Sequence, residues 1–129
     1  MFETRGRIRA KVEAEALTLD IETMVPCGLI INELVSNSFK HAFKNGVEGP
    51  SEIAVEFREA PDDMITLTVS DNGVGLPPGL GLSSPSAKGL GLKLVEALST
   101  QLRAEVSVSR ERGTEFRFTF PRSLRTARL

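Results

Sequence analysis

The chain has 129 residues, 40% of them hydrophobic and 26% charged, with a formal net charge of -1. That length supports one hydrophobic core but not two, and the mixture is that of an ordinary soluble globular domain. Near-neutral charge with acids and bases interspersed excludes a nucleic-acid footprint, and the lack of Trp and Tyr removes the rings best suited to stacking bases. Cys27 is the single cysteine, so neither an internal disulfide nor a cysteine-based metal site can be built; inside an apolar run it reads as a small core residue.

In chain order, "RIRAKVEAEALTLD" alternates around Ile8, Val12 and Leu17 and predicts one or two short strands. Asp20 offers an N-cap and Glu22 a first-turn acid for a helix running to about Lys44, although Pro26 could itself mark the start. "NGVEGP" ends that helix with turn residues. "SEIAVEFREA" and "MITLTVSD" alternate with period two around "PDD" and predict an antiparallel pair. From Asn72 to Gly91 the chain is rich in Gly, Pro and Ser and lacks periodicity, a long loop that a compact domain keeps only for a functional reason. "LGLKLVEALSTQL" returns to helical spacing. "AEVSVS" and "TEFRFTF" then form a hairpin around "RERG", with Val106, Val108, Phe116, Phe118 and Phe120 on its inner face.

This order predicts an α+β two-layer sandwich, a mixed and mostly antiparallel sheet with helices on one face. Residues 1–121 form the expected single domain and 122–129 a flexible tail, its arginines (122, 125, 128) belonging to a frayed end. No signal peptide and no apolar run near 18 residues is present, so the expectation is a soluble, cytoplasmic segment without membrane contact.

The stretch "IINELVSNSFKHAF" is helical in spacing yet carries Asn, Glu, Lys and His. At about 100° per residue, with Glu33 at zero, Asn37, Lys40, His41 and Lys44 fall between roughly -20° and +80°. Ile31, Leu34, Val35, Ser38, Phe39 and Ala42 fall at roughly 100° to 240°, while Ile30 intrudes in the polar arc and Asn32 in the apolar half. Such an arc is either a solvated face or a site: a carboxylate and an amide at i and i+4 can share a hard cation through oxygen, and a Lys and a His one turn on can meet phosphate. "VSDNGVGLPPG" puts a carboxylate, Asp71, at a strand end before Gly73 and Gly75, where backbone can approach a ligand closely. "KGLGLKLVEAL" opens a helix beside Gly89 and Gly91, whose N–H groups can receive an anion.

Taken together, "NELVSNSFKHAF", "DNGVGL", "GLGLKLVEAL" and "GTEFRFTFP", in that order, resemble the ATP-binding domain of sensor histidine kinases. That domain has the Bergerat-type fold of the superfamily shared with DNA gyrase B, MutL mismatch-repair proteins and the ninety-kilodalton heat-shock chaperones. The resemblance runs from about Arg7 to Pro121. It implies ATP and Mg2+ as ligands, with Asn37 holding the metal, Glu33 acting as a base, polarising the acceptor or ordering the metal's water, Lys40 contacting phosphate and His41 near the nucleotide. It implies that Asp71 reads adenine, that Gly73 and Gly75 lie against the base, and that Thr114 reaches adenine or Asp71 through water. Lys88 and the run Gly89, Leu90, Gly91 and Leu92 would lie at the phosphates, and "LPPGLGLSSPSAK" would be the lid over them.

The implied reaction is transfer of the ATP γ-phosphoryl to a histidine on a phosphoacceptor domain of the same or a partner chain, with a response regulator downstream. His41 lies within the ATP-binding helix and not in an acceptor motif, so the chain reads as the catalytic fragment of a longer kinase or as a kinase acting in trans. The absence of a GxxxxGK[ST] segment excludes a P-loop enzyme. A serine kinase of the anti-sigma-factor type, a hydrolytic ATPase and a nucleotide-binding module without chemistry remain open alternatives.

Overall fold

The computed structural model describes residues 8–14, 17–42, 51–73 and 92–124. Five strands form one sheet in the order β1-β2-β3-β5-β4. They are β1 (Ile8–Ala14), β2 (Ser51–Ala60), β3 (Met64–Asp71), β4 (Glu105–Ser109) and β5 (Thr114–Pro121). β2–β3, β3–β5 and β4–β5 are antiparallel, whereas β1 runs parallel to β2. The sheet is therefore mixed and mostly antiparallel, and the fold is the expected α+β type. In the region read as one or two strands before the long helix, the described residues hold the one strand β1.

Alternation decides which face each strand buries. Val55, Val69, Phe116 and Val108 align in one cross-strand row, and Phe57, Leu67, Phe118 and Val106 in the next. Helices α1 (Ile21–Asn37) and α2 (Leu92–Gln101) supply the other layer of the core through Cys27, Ile30, Leu34, Leu92, Val95 and Leu98. Ile65, Leu67, Phe118 and Phe120 are completely shielded from solvent. Each contributes about 1.5–3 kcal/mol by burial. The hairpin's inner face is the one predicted. Val12 also belongs to this side of the sheet but is 72% exposed, because it lies on the edge strand.

α1 begins at Ile21, directly after Asp20, with Pro26 inside it. Asp20 stands at the N-cap position with extended backbone but makes no side-chain cap; its Oδ2 accepts a hydrogen bond from Ser123 Oγ at 2.7 Å. At the other end the α-helical turns stop at Asn37 and a π-helical turn, Ser38–Ala42, continues the helix.

The helical wheel drawn from sequence needs correction at Ile30, which is fully buried, not lodged in a solvated arc. Among the residues whose burial is described, Thr23, Pro26, Cys27, Ile30, Leu34 and Ser38 are the buried ones of this helix and its π-helical extension. On the same wheel they fall between about 20° and 140°. Asn37, at about 40° on that wheel, thus lies on the side that packs on the sheet. Apart from Thr23 in the first turn, the arc is apolar until its end, where Asn37 and Ser38 make it polar. A wheel drawn over the whole segment superimposes the two regimes.

Tertiary contacts continue past Pro121, where the tail was expected to start. Arg122 Nε donates to Asp63 Oδ1 at 2.8 Å, its Nη2 donates to Glu59, and its backbone N–H donates to the Asp63 carbonyl at 3.1 Å. The hydrogen bonds to Asp63 and then to Glu59 raise the pKa of the guanidinium above its ordinary value. With Ser123 on Asp20, these bonds fasten the end of β5 to the β2–β3 turn and to the start of α1. No helix among the described residues is long and apolar enough to cross a membrane.

Candidate functional site

The inward-facing rows of the sheet change character at one end. Beyond Val69 and Phe116 the next row is Ile53, Asp71 and Thr114, so a carboxylate and a hydroxyl follow two rows made of hydrocarbon side chains. Thr114 is buried and Asp71 half-buried. A charged group at such a place requires donors, because leaving it unmatched costs more than an ordinary hydrogen bond returns.

Asp71 has two such donors on opposite oxygens. Oδ1 accepts the Gly73 N–H at 2.9 Å, a local turn of the kind aspartate favours. Oδ2 accepts from Ser38 Oγ at 2.8 Å, across 33 residues of sequence. Asn72 continues the strand pairing past Asp71: its Oδ1 accepts the Glu52 N–H at 2.7 Å, and its own N–H donates to the Glu52 carbonyl at 3.1 Å. On the other flank Gly113 has φ +90°, and a Cβ there would stand 2.2 Å from the Asp71 carbonyl oxygen. Only glycine tolerates both the conformation and the approach.

Of the residues singled out from sequence, Asp71, Gly73 and Thr114 meet at this end of the sheet. Asn37 is the last residue of α1, half-buried, and is followed directly by Ser38, whose hydroxyl touches Asp71. Glu33 lies one turn earlier and is half-buried, while Lys40 is exposed in the π-helical turn that also contains His41. Gly75, Lys88, Gly89, Leu90 and Gly91 lie outside the described residues. Leu92 opens α2, but its side chain is in the hydrophobic core, so only its backbone N–H at the helix start is suited to an anion.

Two residues were missed. Ser38 was assigned to the apolar half of the helix by its angle, and a serine there is itself a signal, because a buried hydroxyl must find a partner. Gly113 was read as an ordinary turn residue; the sequence gives no hint that its backbone abuts Asp71.

Among the described residues no group of three or more His, Cys, Asp and Glu side chains could hold a metal ion. Magnesium commonly takes only one or two protein oxygens and so does not need such a group; Asn37 and Glu33 are the residues here whose side-chain oxygens could serve it. Elsewhere, an apolar groove of about 340 Å³ lies between α1 and the β1–β2 edge, lined by Ala14, Leu17, Met24, Cys27, Ile31 and Phe57 among others. None of the residues at the Asp71 end lines it.

Residues 25–124 match the family described as histidine kinase-, DNA gyrase B- and HSP90-like ATPases. The chain is 29% identical over 109 residues to blue-light-activated histidine kinase 2 of Erythrobacter litoralis, covering 84% of this chain and 30% of that protein. It is 36% identical over 101 residues to sensor histidine kinase PdtaS of Mycobacterium tuberculosis, covering 75% of this chain and 19% of that one. Among solved structures, the histidine kinase domain of the Erythrobacter litoralis EL346 blue-light-activated kinase superposes with a TM-score of 0.78 at 28% identity, covering 92% of this chain and 56% of that one. The chain thus spans less than a third of the length of either relative.

Proposed function

The chain belongs to the histidine kinase-, DNA gyrase B- and HSP90-like ATPase family, as an ATP-binding domain of the histidine kinase kind, and from that premise we propose that it binds ATP with Mg2+ and transfers the γ-phosphoryl to a histidine on a separate phosphoacceptor domain. The observation that supports a base-reading site most directly is the Asp71 carboxylate, held by donors on both oxygens at the end of the core row beside Thr114. A fixed carboxylate accepts the N–H of the amine that adenine carries at C6 and repels the carbonyl that guanine and hypoxanthine carry at the same position. Gly73 and Gly75 keep side chains off the base, and Thr114 supplies a hydroxyl beside it.

The phosphates extend toward the end of α1. Asn37 offers an amide oxygen for the metal, Glu33 a carboxylate for the metal's water or for polarising the acceptor, and Lys40 and His41 cationic or donor groups. Lys88 and the run Gly89, Leu90, Gly91 and Leu92 would receive phosphate oxygens. When bound, Mg2+ neutralises charge on the phosphates. These residues contribute by positioning and charge stabilisation, the main terms in phosphoryl transfer. The acceptor histidine, a downstream response regulator and a cytoplasmic location, where ATP is available, complete the reading.

The test is to incubate the chain with γ-labelled ATP, Mg2+ and a helical hairpin carrying a histidine. Label that is lost in acid and stable in base supports the proposal. Acid-stable label indicates a serine kinase, and phosphate release without protein label indicates hydrolysis. No nucleotide binding by calorimetry would overturn the whole reading.

A further inference from the structure

We propose that Ser38 is a positioning residue for base selection, its hydroxyl orienting the Asp71 carboxylate toward a purine that presents an amine. The inference rests on the reading that Asp71 meets the base. Ser38 Oγ lies 2.8 Å from Asp71 Oδ2 and 3.1 Å from the Leu34 carbonyl, and its one proton has to choose. The carbonyl already accepts the Ser38 backbone N–H, and the carboxylate is closer and charged, so the proton goes to Asp71.

The consequence is geometric. An aspartate's terminal torsion is broad, and a carboxylate tied through one oxygen alone can turn. The Gly73 N–H ties Oδ1 from the loop that leaves β3, whereas Ser38 ties Oδ2 from the helix. Groups held by two packed elements are placed more accurately than groups held by a loop. With these two donors in place, each oxygen keeps lone pairs for a ligand, and their directions are set before it arrives. Ser38 is 5% exposed, so water cannot readily replace its proton if the hydroxyl is removed.

A structural staple between helix and strand predicts something different from a selector. Calorimetric Kd values for ATP and for inosine triphosphate, which carries a carbonyl in place of the amine, separate the two. Ser38→Ala is expected to weaken ATP about 5- to 15-fold while changing inosine triphosphate less than about twofold, so that the preference for ATP shrinks. Ser38→Thr retains the hydroxyl and should restore the preference. In the Asp71→Ala background, adding Ser38→Ala should cost nothing further for ATP. Ser38→Cys, similar in size and a weaker donor, gives the same comparison should Ser38→Ala fail to fold.

Equal losses for both nucleotides, additive losses in the Asp71→Ala background, or no loss at all would overturn the selector role. Those outcomes leave the proposed function standing if the unmodified chain binds ATP and Asp71→Ala weakens it. Absence of nucleotide binding by the unmodified chain, or an Asp71→Ala variant that binds ATP normally, removes both.

Discussion

The Asp71 carbonyl oxygen and Gly113 approach so closely that the turn between β4 and β5 sets the height of the candidate site. A Cβ on Gly113 would stand 2.2 Å from that oxygen and 2.8 Å from the Asn72 Cα, with φ at +90°. The neighbours are backbone and cannot rotate away. Gly113→Ala is therefore expected to cost about 2–4 kcal/mol. Thermal unfolding should show a fall of roughly 5–15 °C. The residual folded protein should also bind ATP more weakly, because the displaced strand end carries Asp71. A variant with unchanged melting temperature and affinity would show that the contact can be relieved at no cost.

Asn37 raises a different question, whether the polar end of α1 acts through the metal. If its amide oxygen is a ligand, Asn37→Ala should weaken ATP binding in the presence of Mg2+ by at least about tenfold. Binding measured with EDTA should change far less. Calorimetry in the two buffers makes the comparison within one variant, so any general damage to the fold appears in both. Equal losses with and without magnesium would remove Asn37 from the metal site.

The chemistry of this end of the molecule was partly legible in the sequence. Alternation found the strands, and the inward residues of β4 and β5 were the ones predicted, because period two leaves little choice when one face is buried. The parallel placement of β1 was not legible, since it depends on where a long crossover returns and not on the strand's own residues. Asp71 was found as a lone carboxylate at a strand end. Ser38 was not, because the wheel sorts residues by angle and does not register that a hydroxyl in the core row must face a partner. The angular range of the polar arc was also misread: on the wheel Ile30 and Asn37 share a face, Ile30 fully buried and Asn37 half-buried at the end of the helix.

The end of α2 closes with an arginine where glycine is usual. Arg103 has φ +60°, its N–H donates to the Thr100 carbonyl, and the next N–H, of Ala104, donates to the Ser99 carbonyl. This is a Schellman closure, and its left-handed residue costs a side chain that glycine avoids. Arg103→Gly is expected to raise stability by about 0.5–1 kcal/mol, read as a higher urea midpoint with unchanged slope. A lower midpoint would mean that the contacts of the arginine side chain outweigh the backbone strain.

Thr23 presents the opposite case, a group buried without a match. Its Oγ1 is shielded from solvent and has no hydrogen-bond partner among the described residues, and the residue is fully buried in the first turn of α1. Valine keeps the branched shape and removes the desolvated oxygen. Thr23→Val should therefore stabilise the domain by roughly 1 kcal/mol, since an unsatisfied buried hydroxyl costs about 1–3 kcal/mol. Chemical denaturation checks it. A destabilised variant would indicate that the hydroxyl gains a partner in solution.

Cys27 makes the alkaline limit of stability measurable. Burial among the core residues of α1 pushes its thiol up to about 12 from an ordinary value of 9.0. The raised value belongs to the neutral form, so between those two pH values the folded chain holds a proton that the unfolded chain has released. Stability from this group is intact below about pH 9 and declines as pH rises toward 12, by up to roughly 1.4 kcal/mol per unit. The chain has no tyrosine, so lysine ammonium groups are the other acids that ordinarily titrate in this range, and comparison with Cys27→Ala separates the thiol from them. Urea unfolding from pH 8 to 11 should show a falling stability in the unmodified chain and a shallower fall in Cys27→Ala, whatever the cost of that substitution at pH 7. Iodoacetamide at pH 8.5 should label Cys27 slowly in the folded chain and readily in urea, because the thiolate is the reactive form. Parallel pH slopes for the two proteins, together with rapid labelling of the folded chain, would mean that the thiol is open to water.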